Sequence, residues 1–260
     1  MRLRALALAT ATGLVLTLAP ATAAEAARKP AYKVSISTST ANPTVGATVK
    51  VTGKVKGPKA AKKRLLVQRK VGAGRWTTVA KVRTTKSRKY AVRVKVRTAG
   101  KHSLRVVAPK SSKARAGSSR VRGFTGWRWI DLTTQGHADE GTNSVGSVSI
   151  AGRTYPKAIR FAGGRYFKTN GACSTFRTSV GVPDTESFDG GLSFLEFKKA
   201  DLSDEPTLIE LDVRQDAAPL PLRTSVAGSQ VIAFGGGSVA AVSPQVLCRT
   251  NSLPSFALPR

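Results

Sequence analysis

The sequence predicts an all-β protein built from two sandwich domains, and three observations carry that expectation. Apolar and polar residues alternate at period 2, as in Tyr90-Ala91-Val92-Arg93-Val94-Lys95-Val96-Arg97, which turns one set of side chains inward and the other to water. Turn signals cut these runs at short intervals, at Asn42-Pro43, Gly57-Pro58, Gly72-Ala73-Gly74 and Ala99-Gly100. No long segment carries a helical repeat.

Charge divides the same chain in two. Arg28 to Gly123 holds 28 basic residues and no Asp or Glu, whereas Phe124 to Arg260 holds 13 basic and 13 acidic residues. A segment without internal counter-charge repels itself, and a polyanionic partner is the usual reason for such a surface. Lysines on edge strands also block unwanted pairing, but that accounts for a few of them and not for the missing acids.

Taken in order, residues 1–27 read as a secretory leader. Arg2 and Arg4 precede the mostly apolar run Ala5 to Ala19, and cleavage is expected after Ala24-Glu25-Ala26 or one residue later. The run is shorter than the ~20 residues that span a bilayer, and no transmembrane segment is expected in the mature chain.

Residues 28–109 form the basic domain. Its strands are read at YKVSISTS from Tyr32, at Val49, Val51 and Val55 alternating with Lys50, Lys54 and Lys56, at RLLVQRK from Arg64, at WTTVAKV from Trp76, at the Tyr90 run and at HSLRVVA from His102. These are antiparallel strands wet on one side. Residues 110–123, KSSKARAGSSRVRG, have little to bury and read as a linker or a ragged last strand.

Residues 124–260 carry about nine further strand runs: WRWIDL from Trp127, GSVSIAG from Gly146, KAIRFA from Lys157, STFRTSVGV from Ser174, LSFLEFKK from Leu192, TLIELDV from Thr207, PLRTSV from Pro221, QVIAFGG from Gln230 and SVAAVS from Ser238. That number of short strands points to a second, jelly-roll-like sandwich. Gly163-Gly164 and Gly235-Gly236-Gly237 read as turns. Cys173 and Cys248 are the only cysteines, and an even count in an exported chain favours a disulfide.

Two resemblances add to this reading. Val67-Gln68-Arg69, Gly74-Arg75-Trp76, Val79, Tyr90 and Ala99-Gly100 leading into Leu104-Arg105-Val106 resemble the immunoglobulin-like domains of secreted bacterial proteins over residues 32–109, which implies a spacer or adhesion module. Ile130-Asp131-Leu132, Ser149-Ile150-Ala151-Gly152, Arg153-Thr154-Tyr155-Pro156-Lys157 and Phe176 to Val182 resemble the NPCBM-type carbohydrate-binding modules over residues 127–248. The chain departs from that family's pattern at Ala158-Ile159-Arg160-Phe161 and at the closing run SVAAVSPQVLC, which touches the ligand inference more than the fold.

Catalytic signals are weak. His137, Asp139 and Glu140 form one short cluster read as a solvated loop, and no nucleophile elbow or phosphate-cradling glycine motif is present. Asp201, Asp204 and Glu205 are clustered carboxylates of the kind that suit a structural calcium ion, the alternative reading, but they lack the glycine-containing spacing of a helix-loop-helix calcium site; they read as a solvated turn, and neither a catalytic residue nor a cofactor is expected.

Glycan contact would fall to aromatic and planar side chains. The candidates are Trp127 and Trp129, taken to share a strand face, then Tyr155, and Arg165 with Tyr166, taken as an exposed loop tip. The polyanion candidates are Lys50, Lys54, Lys56, Arg93, Lys95 and Arg97. The expected protein is therefore a secreted, non-catalytic, monomeric carbohydrate binder. Its basic domain would be retained on an anionic cell-wall polymer, and its second domain would bind a polysaccharide or glycan. The alternatives are an extracellular nucleic-acid binder and a polysaccharide hydrolase with its site in residues 124–260.

Overall fold

The computed structural model describes residues 29–259, so the expected leader lies outside the described residues. Among the described residues the chain is all β apart from one 3-10 turn, Leu132–Thr134. No helix among them is long and apolar enough to cross a membrane.

The first half contains β1 (Lys33–Val34), β2 (Ser37–Thr38), β3 (Thr48–Lys56), β4 (Arg64–Val71), β5 (Thr77–Arg83), β6 (Lys89–Lys95), β7 (Gly100–Ala108), β8 (Gly117–Ser118) and β9 (Arg122–Gly126). One sheet sets β3 between β6 on one side and the short β1 and β2 on the other. The second runs β5-β4-β7, with β8 and β9 both on the far edge of β7. Alternation does what the sequence implies: Val49, Val51, Val55 and Val94 meet Leu65, Val67, Leu104 and Val106 in one buried cluster. Burying each such side chain contributes roughly 1.5–3 kcal/mol, which offsets the repulsion among the cations outside.

The segment 110–123, read as a linker or a ragged last strand, is largely folded into the first sandwich. Gly117–Ser118 pairs with Val107–Ala108, and Arg122–Gly126 pairs with Leu104–Gly100. Its few apolar side chains could not decide between the two readings, because the stabilising groups are the unpaired backbone donors and acceptors along the edge of β7. Phe124, expected to open the second domain, closes the first: it is buried and its ring stacks on His102 with centroids 4.6 Å apart.

Only Trp127 separates β9 from β10 (Arg128–Asp131), the first strand of the second sandwich. That sandwich continues with β11 (Ala138–Asp139), β12 (Ser144–Ile150), β13 (Arg153–Arg160), β14 (Gly163–Lys168), β15 (Cys173–Gly181), β16 (Gly190–Phe197), β17 (Thr207–Val213), β18 (Leu220–Ser225), β19 (Val231–Gly237) and β20 (Ala240–Cys248). One sheet is ordered β12-β13-β20-β15-β18 with β10 also on β20, and the other β11-β14-β19-β16-β17. Phe167, Phe176, Phe194 and Phe234 fill the space between them.

The two glycine runs expected as turns are strand residues. Gly163 faces Gly236 and Gly164 faces Gly235 across β14 and β19. A Cβ on Gly236 would collide with the Gly191 carbonyl on β16, so glycine here lets three strands lie close rather than turning the chain. Cys173 and Cys248 are directly opposite on β15 and β20 and form the expected disulfide.

Candidate polyanion and glycan surfaces

The outer face of the β1-β3-β6 sheet is a ladder of cations. Lys50 lies opposite Arg93, Lys54 opposite Lys89, and Lys33 opposite Lys56. Like charges placed directly across a ladder destabilise it, and this half of the chain has no carboxylate to relieve them. Lys50, Lys54, Lys56, Arg93 and Lys95 are all exposed on this one face, and Arg97 is exposed just beyond β6. Two adjoining cavities of about 460 and 320 Å³ crease that surface and share Ser35 and Lys54. Together they form a trough lined by Lys33, Lys50, Lys54, Lys56 and Lys89.

The trough depends on Gly53. A Cβ there would come within 2.6 Å of the Tyr90 hydroxyl, which donates to the Ser35 carbonyl at 2.6 Å. Burial pushes the Tyr90 phenol well above its ordinary pKa, so it stays neutral and does not cancel the lysines. On the opposite sheet Trp76 is covered by cations, with the Arg105 guanidinium 4.4 Å and the Lys70 ammonium 5.7 Å from its ring.

The glycan candidates fare differently. Trp127 and Trp129 have different neighbours. Trp127 joins the halves: its backbone N–H donates to Pro43, its carbonyl accepts from Val45, and its indole N–H reaches Asn42 Oδ1 at 3.5 Å. Trp129 is half-buried beneath the Arg177 guanidinium, whose centre is 3.9 Å from the ring. Tyr155 packs partly against the small cluster of Val148, Ile150, Ala158, Ala240 and Val242, with the Arg153 guanidinium 5.3 Å from its ring.

Arg165 and Tyr166 are no loop tip. They sit on β14 and are 3% and 8% exposed, which removes them from any sugar-facing surface. The loop read as solvated holds them there. Asp139 accepts both Arg165 Nε at 2.7 Å and Nη2 at 2.8 Å, and Glu140 accepts the Tyr166 hydroxyl at 2.8 Å. Burial opposes ionisation of Asp139, but the Arg165 guanidinium outweighs it and keeps the carboxyl below its usual range. His137 lies 3.3 Å from Asp139 and hydrogen-bonds the Gln135 carbonyl, so the cluster is committed to holding β11 on β14.

Two guanidiniums that the sequence did not single out lie over Trp129, Arg177 at 3.9 Å and Arg223 at 5.9 Å from its ring. Arg177 lies between Gln245 on β20 and Arg223 on β18 in one cross-strand row. Gln245 Oε1 accepts from Arg177 Nε at 3.0 Å and Nη2 at 2.6 Å. The row continues through Asp131 on β10, which pairs with Lys157 at 2.7 Å. Burial again disfavours the charged form of Asp131, and the bonds from Lys157 and Thr133 reverse the balance, lowering its pKa. No signal along the chain could have found this row, since it joins four strands by register.

No protein-family model matches the chain, and no curated protein matches it. Among solved structures, a Corynebacterium diphtheriae protein described as membrane anchored is similar at 10% identity with a TM-score of 0.29. The match covers 88% of this chain and 60% of that one, so the chain spans less than two thirds of its length. A likeness of that size carries no inference about fold or function.

Proposed function

We propose that the protein is a secreted, non-catalytic carbohydrate-binding protein. Its first sandwich retains it on an anionic cell-envelope polymer, and its second, which resembles the NPCBM-type modules, binds a glycan. The observation that carries this reading is the lysine trough: five ammonium groups converge on one creased face of a domain that has no acid anywhere. Lysine is a compact, strongly hydrated point charge without the forked geometry of arginine. It suits diffuse contact with a phosphate or uronate polymer, and the trough offers no aromatic row on which nucleic-acid bases would stack.

The test is retention of the full-length protein on isolated cell walls as salt is raised. Retention is expected to fall steeply and to be competed by purified anionic wall polymer. Retention that is flat in salt refutes the charge-based anchor, and stronger competition by duplex DNA than by wall polymer assigns the face to nucleic acid instead.

A further inference from the structure

The outer face of the β12-β13-β20-β15-β18 sheet contains a cavity of about 450 Å³, bounded by Arg177, Arg223, Gln245, Ser179, Ser243 and Pro221 and by no carboxylate. Its volume falls within the range of small-molecule sites. We infer that this cavity binds one acidic sugar unit, its carboxylate between the Arg177 and Arg223 guanidiniums and its ring against Pro221. The inference rests on the glycan-binding reading of the second sandwich and names the class of sugar.

Three features of the fold converge on it. The first is charge: Arg177 and Arg223 are directly opposite in register, an arrangement that repels until an anion lies between them. The nearest carboxylate in the row, Asp131, is already neutralised by Lys157. The second is pre-organisation. Arg177 is clamped between the Trp129 indole at 3.9 Å and Gln245, which takes its Nε and Nη2 and leaves Nη1 unused. A guanidinium fixed before binding loses little entropy when it meets a carboxylate.

The third feature is the opening itself. The β15-β20 ladder skips between Arg177 and Ser179, where β20 carries Ser243 in a left-handed conformation (φ 49°) followed by Pro244. Such bulges re-aim side chains beside binding sites, and a non-glycine residue at positive φ is retained where the surroundings impose it. Here the bulge presents Ser243 to the cavity beside Ser179 on β15, and Pro221 of β18 supplies apolar surface. Two guanidiniums, two hydroxyls and an apolar wall match a pyranose that carries a carboxylate.

The test uses the full-length protein and the Trp129 indole N–H resonance, assigned through Trp129→Phe. It is titrated with methyl glucuronoside, methyl glucoside and acetate. The uronoside is expected to shift the resonance saturably, about tenfold more weakly in Arg223→Gln and unchanged in Lys50→Gln/Lys54→Gln. Glucoside and acetate are expected to leave it in place. An equal response to glucoside overturns the acidic class while glycan binding stands, and an equal response to acetate reduces the site to an anion site. Persistence in Arg223→Gln, or loss in the lysine variant, overturns the placement. Silence toward all three overturns the site and leaves salt-labile wall retention standing.

Discussion

Removing charge from the trough should change how binding depends on salt, and the amount follows from the structure. Five lysines line it: Lys33, Lys50, Lys54, Lys56 and Lys89. For a flexible polyanion each neutralised charge contributes about −0.7 to the slope of log K against log salt, so five give a slope of about −3.5. Between 50 and 200 mM salt that is a loss of roughly a hundredfold in affinity. Lys54 lines both halves of the trough and Lys50 faces Arg93 across the ladder. Replacing both by Gln should flatten the slope to about −2.1 and reduce the loss to roughly twentyfold. Both side chains are exposed, so the fold survives, and relieving the ladder should raise the melting temperature slightly. The assay is equilibrium binding to poly(glycerol phosphate) across that salt range. A slope unchanged in the double variant would mean that the polymer is held elsewhere, and the trough would lose its assignment.

Three further outcomes follow from other parts of the fold. Asp139→Asn leaves the Arg165 guanidinium, 3% exposed, without its bidentate partner and should cost about 3 kcal/mol in urea unfolding; because the Asp139 carboxyl is held below its ordinary pKa, the pair's contribution is complete above that ordinary value and is lost as pH falls through the folded one, and a loss under 1 kcal/mol would mean that Arg165 is solvated. Burial lowers the His102 pKa below 6.5, against a partly compensating bond to the Thr98 carbonyl and together with repulsion from Arg69; the unfolded chain then binds the proton more readily, so stability should fall as pH drops from 7.5 to 5.5, and this part of the slope should vanish in His102→Gln. Removing both cysteines reopens a loop of 75 residues and should cost about 4 kcal/mol; a melting temperature within a degree of the parent would show that the unfolded state is already confined.

What was legible in the sequence was the face on which a residue lies. Lys50, Lys54 and Lys56 could be set outward because the intervening valines had to go in, and β3 agrees. What was not legible was who stands beside whom. Lys33 and Lys89 complete the trough through the pairing of β1 and β6 with β3, and Arg177 reaches Trp129 because both β15 and β10 lie against β20. Glycine misled for a related reason. Gly163 and Gly164 look like a turn when read alone, and only across the ladder do they face Gly236 and Gly235. Once they are in a strand, Arg165 and Tyr166 are carried into the sheet, where Asp139 and Glu140 meet them.

The two halves thus use cations in opposite ways. In the first sandwich the trough is lined by lysines on flexible stems, with no acid and no bracing partner, an arrangement that attracts over a Debye length and tolerates many polymer geometries. In the second, Arg177 is pinned by an indole and an amide and set opposite Arg223 at a bulge, which gives up reach for geometry. On the proposed reading, a polymer whose charge is spread along its length would be held by the first kind of surface, and one sugar among many would be distinguished by the second. Because Trp127 alone separates β9 from β10, and backbone bonds tie it to Pro43 and Val45, retention on the polymer would keep the arginine cavity within a short distance of the same surface. The effective concentration of any acidic sugar there rises accordingly. A weak monovalent site on the second sandwich is then sufficient, and the uronoside titration should return millimolar affinity; a nanomolar value would mean that the cavity needs no anchor.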